Sequence, residues 1–233
     1  MTPTSSHGAR TAAQPPGAPA RHDGPRGLEF PAVPDPNSPP PLFRRAVSAL
    51  ASVAPRPELV VRKLEAPPRL APFSWATSVE ADIGHRGDGT DDLDEPDTSG
   101  RLILLHDPEG QDRWQGTFRL VCFVQARLEP GQLGDDMLPR IGWSWLTDAL
   151  DHAGADFTAL GGTVTQTSSV RFGGLQADGE EPPREDDVEL RASWTPTESD
   201  ADFARHAAAF GSLVATAAGL PPVGAVPLTR SPG

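Results

Sequence analysis

Apolar positions along the chain change their spacing several times, and each spacing predicts a secondary-structure element. Helical spacing predicts three helices, at residues 42–54, 135–153 and 199–218. Shorter alternating or continuous apolar runs predict six strands, at residues 59–65, 74–83, 101–105, 116–128, 163–172 and 188–195. The predicted order is therefore α-β-β-β-β-α-β-β-α.

Short connections between consecutive strands favour antiparallel pairing, since parallel strands need a long crossover. Residues 106–110 (HDPEG) predict the turn between the third and fourth strands. Helices that follow such a sheet cover one of its faces. We therefore predict the α+β class: a single domain with a mainly antiparallel sheet of about six strands and three helices.

Composition sets the limits of this domain. The 233 residues include 23 Gly and 27 Pro, many of them near the two ends. Residues 1–36 are rich in Pro, Gly and Ala and hold few apolar residues, so we predict a disordered tail. The domain is predicted at 37–219, and the Pro-rich residues 220–233 are predicted to dock as an extended strap before a short tail.

The charge is uneven along the chain. The formal net charge is −12, from 32 acidic and 20 basic residues. Segments 84–99 and 176–187 each hold six acids and one arginine, so twelve acids less two arginines give −10. We interpret both as solvated acidic loops, because they contain Gly and Pro and few apolar residues. Calcium binding is the alternative for the first segment, which lacks the ligand spacing of an EF-hand. The net charge disfavours nucleic acid as a partner.

Catalytic chemistry has no recognisable pattern in the sequence. Cys122 lies on the apolar side of the fourth strand and is predicted to be a core thiol. His106 is interpreted as a turn residue, His152 pairs with Asp148 on a helix surface, and His206 has no second metal ligand at helical spacing. We predict no catalytic residue, no metal and no cofactor. The sequence also lacks a signal-peptide core and a membrane span, which favours the cytoplasm.

Arginines occur opposite the apolar side of three predicted strands. The candidate binding residues are Arg119 and Arg127 on the fourth strand, Arg171 on the fifth and Arg191 on the sixth. If these strands are neighbours, one sheet face carries arginines that suit an anionic ligand or an acidic partner. The alternative is the ordinary solvent face of a one-sided sheet.

Trp143 does not belong to the predicted apolar stripe of the second helix. Trp145 is on that stripe, and a residue two positions earlier points about 200° away from it. Trp143 therefore packs under a loop or is an exposed anchor for a partner. Arg140, one turn earlier, would extend such a surface.

Several stretches resemble a known family: FRRAVSALA at 43–51, LAPFSWAT at 70–77, RIGWSWLTDAL at 140–150 and GGTVTQTSSVRFGG at 161–174. Together with the last helix and the LPP after it, they resemble an actinobacterial family of uncharacterised proteins, domain of unknown function, family three thousand. The resemblance covers about residues 42–229. It implies no activity, cofactor or catalytic residue. It does imply genes that neighbour a ribonuclease D-like nuclease, and hence a connection to RNA metabolism.

The leading hypothesis is a cytoplasmic, non-enzymatic protein-binding or adaptor module that uses Trp143 and the arginine-bearing face. The alternative is an enzyme or binding protein for a small anionic metabolite, held by Arg119, Arg171 and Arg191. A third hypothesis is RNA binding by the same face, with an affinity that falls steeply with salt.

Overall fold

The computed structural model describes residues 38–81, 97–128, 134, 136–173, 184–197 and 199–223. The predicted tail 1–36 lies outside the described residues, as do most of the predicted acidic loops 84–99 and 176–187 and the end of the predicted strap, 224–233. Three helices and six strands lie within the described ranges.

These elements follow the predicted order α-β-β-β-β-α-β-β-α. They are α1 (Pro41–Ala51), β1 (Leu59–Leu64), β2 (Phe73–Ala81), β3 (Thr98–Gln111), β4 (Gly116–Arg127), α2 (Leu138–Ala153), β5 (Phe157–Val170), β6 (Arg184–Pro196) and α3 (Asp200–Ala217).

The strands form one sheet in the order β1-β2-β3-β4-β6-β5. Every neighbouring pair is antiparallel, which confirms the predicted α+β class. The last strand, β6, lies between β4 and β5, so β1 and β5 are the two edges of the sheet that the described strands form.

The helices cover one face of the sheet. α3 packs on the central strands so closely that a Cβ at Gly100 would lie 2.6 Å from Val214 Cγ2. α2 lies over β5 and β6, where a Cβ at Gly142 would be 3.2 Å from Val164. Only glycine permits the first of these approaches. The sheet therefore has a closed face, which the helices cover, and an open face on the other side.

The core fills the space between the closed face and the helices. Its largest fully buried side chains include Trp194, Phe118, Phe203, Leu102, Leu104 and Leu120. Cys122 is 1% exposed, which confirms the predicted core thiol. Burial raises the pKa of its thiol to about 12, because the thiolate is costly away from water.

The predicted turn at 106–110 is wrong. β3 continues to Gln111, with a register shift between His106 and Gln111 that accommodates Pro108 where no ladder hydrogen bond is needed. The chain reverses after Gln111, where Gln115 has a φ of 58°. His106 is consequently buried, and its ring stacks on Phe118 with centroids 4.1 Å apart.

The apolar stripe of α2 also differs from the prediction. The helix begins at Leu138, not at 135, and Ile141 is 42% exposed. The buried residues are Leu138, Gly142, Leu146, Ala149 and Leu150. The buried side of α2 is centred on Gly142 because the sheet lies closest to the helix there. A pattern based on apolar side chains does not count glycine, so it did not predict this position.

β5 and β6 begin earlier than predicted, at Phe157 and Arg184. The first residues of both strands lack a simple apolar alternation, so the sequence pattern did not include them. Pairing with the neighbouring strand, rather than side-chain burial, holds these residues in the sheet. The predicted start of α3 is confirmed, since the Ser199 hydroxyl accepts a hydrogen bond from the Asp202 N–H at 3.1 Å.

Candidate functional site

One row of side chains crosses the open face from edge to edge. It contains, from β1 to β5, Arg62, Ser78, Arg101, Phe123, Arg191 and Thr163. We call it the central row. Directly opposite residues of an antiparallel pair have Cβ atoms about 5 Å apart, so each member lies beside the next. The row therefore places an aromatic ring between two arginines.

Phe123 is the centre of this row and is half-buried. The Arg191 guanidinium carbon lies 5.3 Å from the centroid of its ring, in range for a cation–π contact. Arg191 Nε also donates to Glu189 Oε1 at 2.6 Å, which sets the direction of the side chain. Arg101, on the other side of Phe123, is exposed.

An apolar row runs beside the central row on the open face. It contains Leu64, Ala76, Ile103, Val121, Ser193 and Gly161 in successive strands. Leu64, Ile103 and Val121 of this row are half-buried, whereas Ala76 is 2% exposed. The exposed apolar part beside Phe123 is therefore formed by Ile103 and Val121.

A shallow depression of about 340 Å³ opens next to Phe123. Val121, Phe123, Thr163 and Arg191 form its walls, and Gly161-Gly162 leaves the backbone bare. A Cβ at Gly162 would lie 2.3 Å from the Arg191 carbonyl oxygen, so β5 and β6 need glycine there. The depression has room for one protruding side chain of a partner.

Arg119, also on the open face, points into the sheet surface. Its guanidinium donates to the Ala159 carbonyl at 2.9 Å, to Thr195 Oγ1 at 3.2 Å and to Ser193 Oγ at 2.8 Å. Ala159 has a φ of 51° and lies in the register shift between Thr158 and Gly161, so Arg119 binds a carbonyl that the bulge turns inward. Burial lowers the pKa of Arg119, yet the guanidinium keeps its charge at neutral pH.

The other candidate arginines pair with acids at one end of the sheet. Arg127 lies 2.9 Å from Asp97 and 3.7 Å from Glu185, and Arg171 lies 2.7 Å from Glu185. Along the strands, Arg119 lies four residues, or about 13 Å, from the level of Arg191, and Arg171 lies eight residues, or about 26 Å, from that level. The structure therefore does not bring Arg119, Arg171 and Arg191 around one ligand.

Trp143 and Arg140 lie on the helix side of the sheet. Trp143 is partly buried and packs against the core, and Arg140 is exposed. Gly142, between them, faces Val164 and Val188 on the closed face. The sheet thus separates these two residues from the arginine-bearing face.

A buried polar cluster lies in the closed face, formed by Asp156, Trp194, Asp202 and His206. Trp194 Nε1 donates to His206 Nδ1 at 3.1 Å, and His206 Nε2 lies 3.1 Å from Asp202 Oδ2 and 3.2 Å from the Asp156 carbonyl. The Asp156 N–H donates to Asp202 Oδ1 at 3.0 Å. Since Nδ1 accepts from Trp194, these partners assign a neutral imidazole with its proton on Nε2.

Burial lowers the pKa of His206, against the opposing effect of the nearby carboxylate of Asp202. The side chains of His206 and Asp202 are 0% and 2% exposed, so the cluster fastens the α2–β5 connection to α3. The prediction that His206 has no second ligand at helical spacing is wrong, because Asp202 precedes it by four residues. Within the described residues, no three acidic, histidine or cysteine side chains form a group that could hold a metal ion.

An apolar groove of about 230 Å³ lies between α1, α3 and the closed-face side of β1 and β2. Leu59, Trp75 and Phe210 are among its walls. At its rim, Arg56 donates to the Pro221 carbonyl at 2.9 Å, and Val223 is 83% exposed. The first residues of the predicted strap therefore return to this groove.

The sequence pattern did not predict Phe123, Val121 or Arg101 as site residues. Their signal was present in β4, where Leu120 to Val124 are all apolar except for the small thiol and break the alternation. An apolar residue at an outward position of an alternating strand indicates a contact surface, and Arg101 follows from its register opposite Phe123.

Taken together, the fold and this site define an α+β protein with a one-sided antiparallel sheet and an aromatic–arginine row on its open face. The chain belongs to the family described as Protein of unknown function (DUF3000), whose model matches residues 39–226. No curated protein and no solved structure matches the chain. Within the described residues, the helices are too short or too polar to cross a bilayer.

Proposed function

We propose that this protein is a non-enzymatic protein-binding module whose partner docks on the open face around Phe123. The observation that carries the proposal is the central row, which places a half-buried phenylalanine between Arg101 and Arg191 on a face that no described helix covers. Aromatic and arginine side chains are the residues that most often dominate protein interfaces.

The neighbouring surface supports the same proposal. Ile103 and Val121 extend the contact area beside Phe123, and the depression there has room for a protruding side chain. A partner would remove Ile103, Val121 and Phe123 from water, which is favourable by about 25 cal/mol for each Å² of apolar area. The polar surroundings of these residues would form the rim of the interface.

The charges indicate what the partner presents. Arg101 and Arg191 flank the ring, and arginine binds carboxylates through paired N–H donors. The fitting partner is therefore a protein segment with an aliphatic or aromatic side chain next to an acidic one. Most of the chain's own excess of acids lies in the segments 84–99 and 176–187, which contain no member of the central row.

The proposal places the module in the cytoplasm, where the single cysteine needs no disulfide partner. Arginine outnumbers lysine nineteen to one, which supports the actinobacterial origin that the family resemblance implies. The connection to RNA metabolism stays a prediction and becomes one arm of the experiment.

Affinity capture with the tagged full-length chain tests the proposal. Lysate of the native cell is divided into nuclease-treated and untreated halves, and the bound proteins are quantified by mass spectrometry. Phe123→Ala and Arg101→Glu change the central row. Arg140→Glu and Ile141→Ala change exposed residues of α2 on the other side of the sheet and are the matched controls.

We expect a stoichiometric protein that survives nuclease, loses at least tenfold in recovery with either central-row variant and is retained by both α2 controls. Recovery that depends on Arg140 and not on Phe123 would contradict the open face as the site. A partner set that disappears with nuclease would replace the proposal by RNA binding. Circular dichroism of each variant excludes misfolding as the cause.

The small-anion alternative is supported by Arg119, whose three acceptors are all neutral and leave its charge uncancelled. Titration of the full chain with inorganic phosphate tests it. Saturable binding that Arg119→Met abolishes would favour a metabolite site, whereas the module hypothesis expects no saturation.

A further inference from the structure

The two edges of the sheet differ in length and in charge. β1 has six residues, LVVRKL, with Arg62 and Lys63 among them. β5 has fourteen residues, FTALGGTVTQTSSV, and none of them is charged or proline. Natural edge strands are usually kept apart from other strands by charge, proline or short length, since their unpaired backbone groups recruit further strands. β1 is short and charged, whereas β5 is long, uncharged and free of proline.

The outer side of β5 offers a regular template. After the register shift near Ala159, β5 pairs with β6 without interruption from Gly161 to Val170. Ten residues of uninterrupted strand extend about 33 Å. Thr163, Thr165, Thr167 and Ser169 are all exposed along it. The ladder ends next to two exposed apolar side chains, Val170 at 44% and Phe172 at 68%.

We propose that β5 is an interface between two copies of this chain, which pair antiparallel, edge to edge, about a two-fold axis. Such a contact is self-complementary: if one residue of the first copy contacts another residue of the second copy, the same two residues also make the reverse contact. Threonine and serine pairs across the junction hydrogen bond, and no like charges meet, because β5 has none.

The position of the acids supports a second copy as the occupant. The described members of the acidic segments, Asp97 and 185–187, lie at the end of the sheet where β5 finishes at Val170. Antiparallel pairing directs this end of one copy away from the same end of the other. Residues 185–187 lie on β6, one strand behind the junction, so three strand spacings, about 14 Å, separate these residues of the two copies across it. This distance exceeds the screening length of about 8 Å at physiological ionic strength. The described acids therefore do not oppose pairing along this edge.

Sedimentation equilibrium of the full chain over a dilution series is the first test. We expect twice the chain mass at high concentration and a shift to the single-chain mass on dilution. Thr165→Lys places two like charges at the junction and should raise the dissociation constant about tenfold or more, whereas Val61→Lys adds the same charge to the other edge and should leave it unchanged.

Cysteine scanning identifies the contact itself. Single cysteines at residues 163–169 are oxidised in turn, with Val61→Cys as the control on the opposite edge. The residue on the two-fold axis faces its own copy at about 5 Å between Cβ atoms, a separation that a disulfide can nearly span. Cys122 does not interfere, because it is buried and burial raises its pKa to about 12.

The expected result is one scanned position that forms covalent dimers far above its neighbours and above Val61→Cys. A single-chain mass at every concentration would overturn the inference, and so would a dimer that Thr165→Lys leaves intact and no β5 cysteine crosslinks. The outcome is separable from that of the proposed function, since Thr165→Lys leaves Phe123, Arg101 and Arg191 in place and should retain the captured partner.

Discussion

The closed and open faces of the sheet use the same strand for different purposes. Phe118 and Phe123 both belong to β4, and their odd separation places them on opposite faces. Phe118 is 0% exposed, stacks on His106 and meets the edge of Phe203 at 5.1 Å. Phe123 is half-buried under one arginine. Residue type alone therefore does not separate a stabilising side chain from one available for contact.

Polar groups follow the same division. On the closed face, His206 and Asp202 are buried. His206 hydrogen bonds to Asp202 through one ring nitrogen and accepts a hydrogen bond from Trp194 at the other. On the open face, Arg119 keeps its charge and binds neutral oxygens at the surface. Buried polar groups stabilise a fold only when every donor and acceptor is satisfied, so the closed face tolerates less change. Four tests measure how far this difference extends.

The largest effect should come from the two phenylalanines of β4. Phe118→Ala removes a fully buried ring and leaves a cavity, so we expect the free energy of unfolding to fall by about 3–5 kcal/mol. Phe123→Ala should lower it by about 1 kcal/mol or less, since half of the ring is already near water. Guanidinium denaturation of the full chain measures both. Equal losses would break the comparison.

The second test uses adjacent residues of β3. A Cβ at Gly100 would lie 2.6 Å from Val214 and 2.9 Å from Phe210, so Gly100→Ala should cost about 1–3 kcal/mol through strain against α3. Ser99→Ala, which faces the open side, should change stability by less than about 0.5 kcal/mol. If both variants unfold at the same denaturant concentration, α3 does not press on β3.

The third test is the pH dependence of the buried polar cluster. Folding lowers the pKa of His206 below its unfolded value of about 6.5, so the unfolded chain binds more protons in acid. Stability should therefore be greatest above about pH 6.5 and fall as the pH drops through that value towards the lowered pKa. Urea midpoints across this range measure it, and His206→Gln should flatten the slope.

His152→Gln is the matched control for this slope. His152 is exposed on α2, and its Nδ1 donates to the Asp148 carbonyl at 2.6 Å. The slope should persist in this variant. A native protein equally stable at pH 7 and at pH 5 would contradict the assignment of His206 as a buried neutral imidazole.

The smallest effect is expected at the open-face ion pair. The side chain of Arg191 is 65% exposed and pairs with Glu189, and exposed pairs of this kind contribute little. Arg191→Ala should change the free energy of unfolding by less than about 0.5 kcal/mol while it weakens partner capture. A loss as large as that of Gly100→Ala would show that the open face also stabilises the fold.

The fold was predictable because its apolar spacings are long and regular. β4 alternates over most of its length, and Phe203, Phe210, Leu213 and Val214 recur at helical spacing in α3. The pattern failed where a neighbouring element decides the outcome. Ile141 was predicted to be buried but is exposed, and Gly142 is buried instead, because the close approach of the sheet and not hydropathy decides which side of α2 faces the core. The turn predicted at His106 is absent because a bulge accommodates Pro108 within β3.

The site was only partly predictable, for a related reason. The arginines were visible, but their pairing with Glu185 and Glu189 depends on strand register that a single sequence does not contain. The order β4-β6-β5 decides that Arg191, not Arg171, stands beside Phe123. The His206–Asp202 pair could have been predicted from the sequence, since a spacing of four residues on a helix already places two side chains next to each other.

The strand order also has a consequence for how the chain folds. β1 to β4 pair with their neighbours in sequence, so this meander can form from local contacts. β6 must return past α2 and β5 to reach β4, and β5 joins the sheet only through β6. Contacts that close long loops form slowly. We expect the β5–β6 hairpin to assemble as a unit and dock last, so amides of β5 and β6 should become protected from hydrogen exchange after those of β2 and β3.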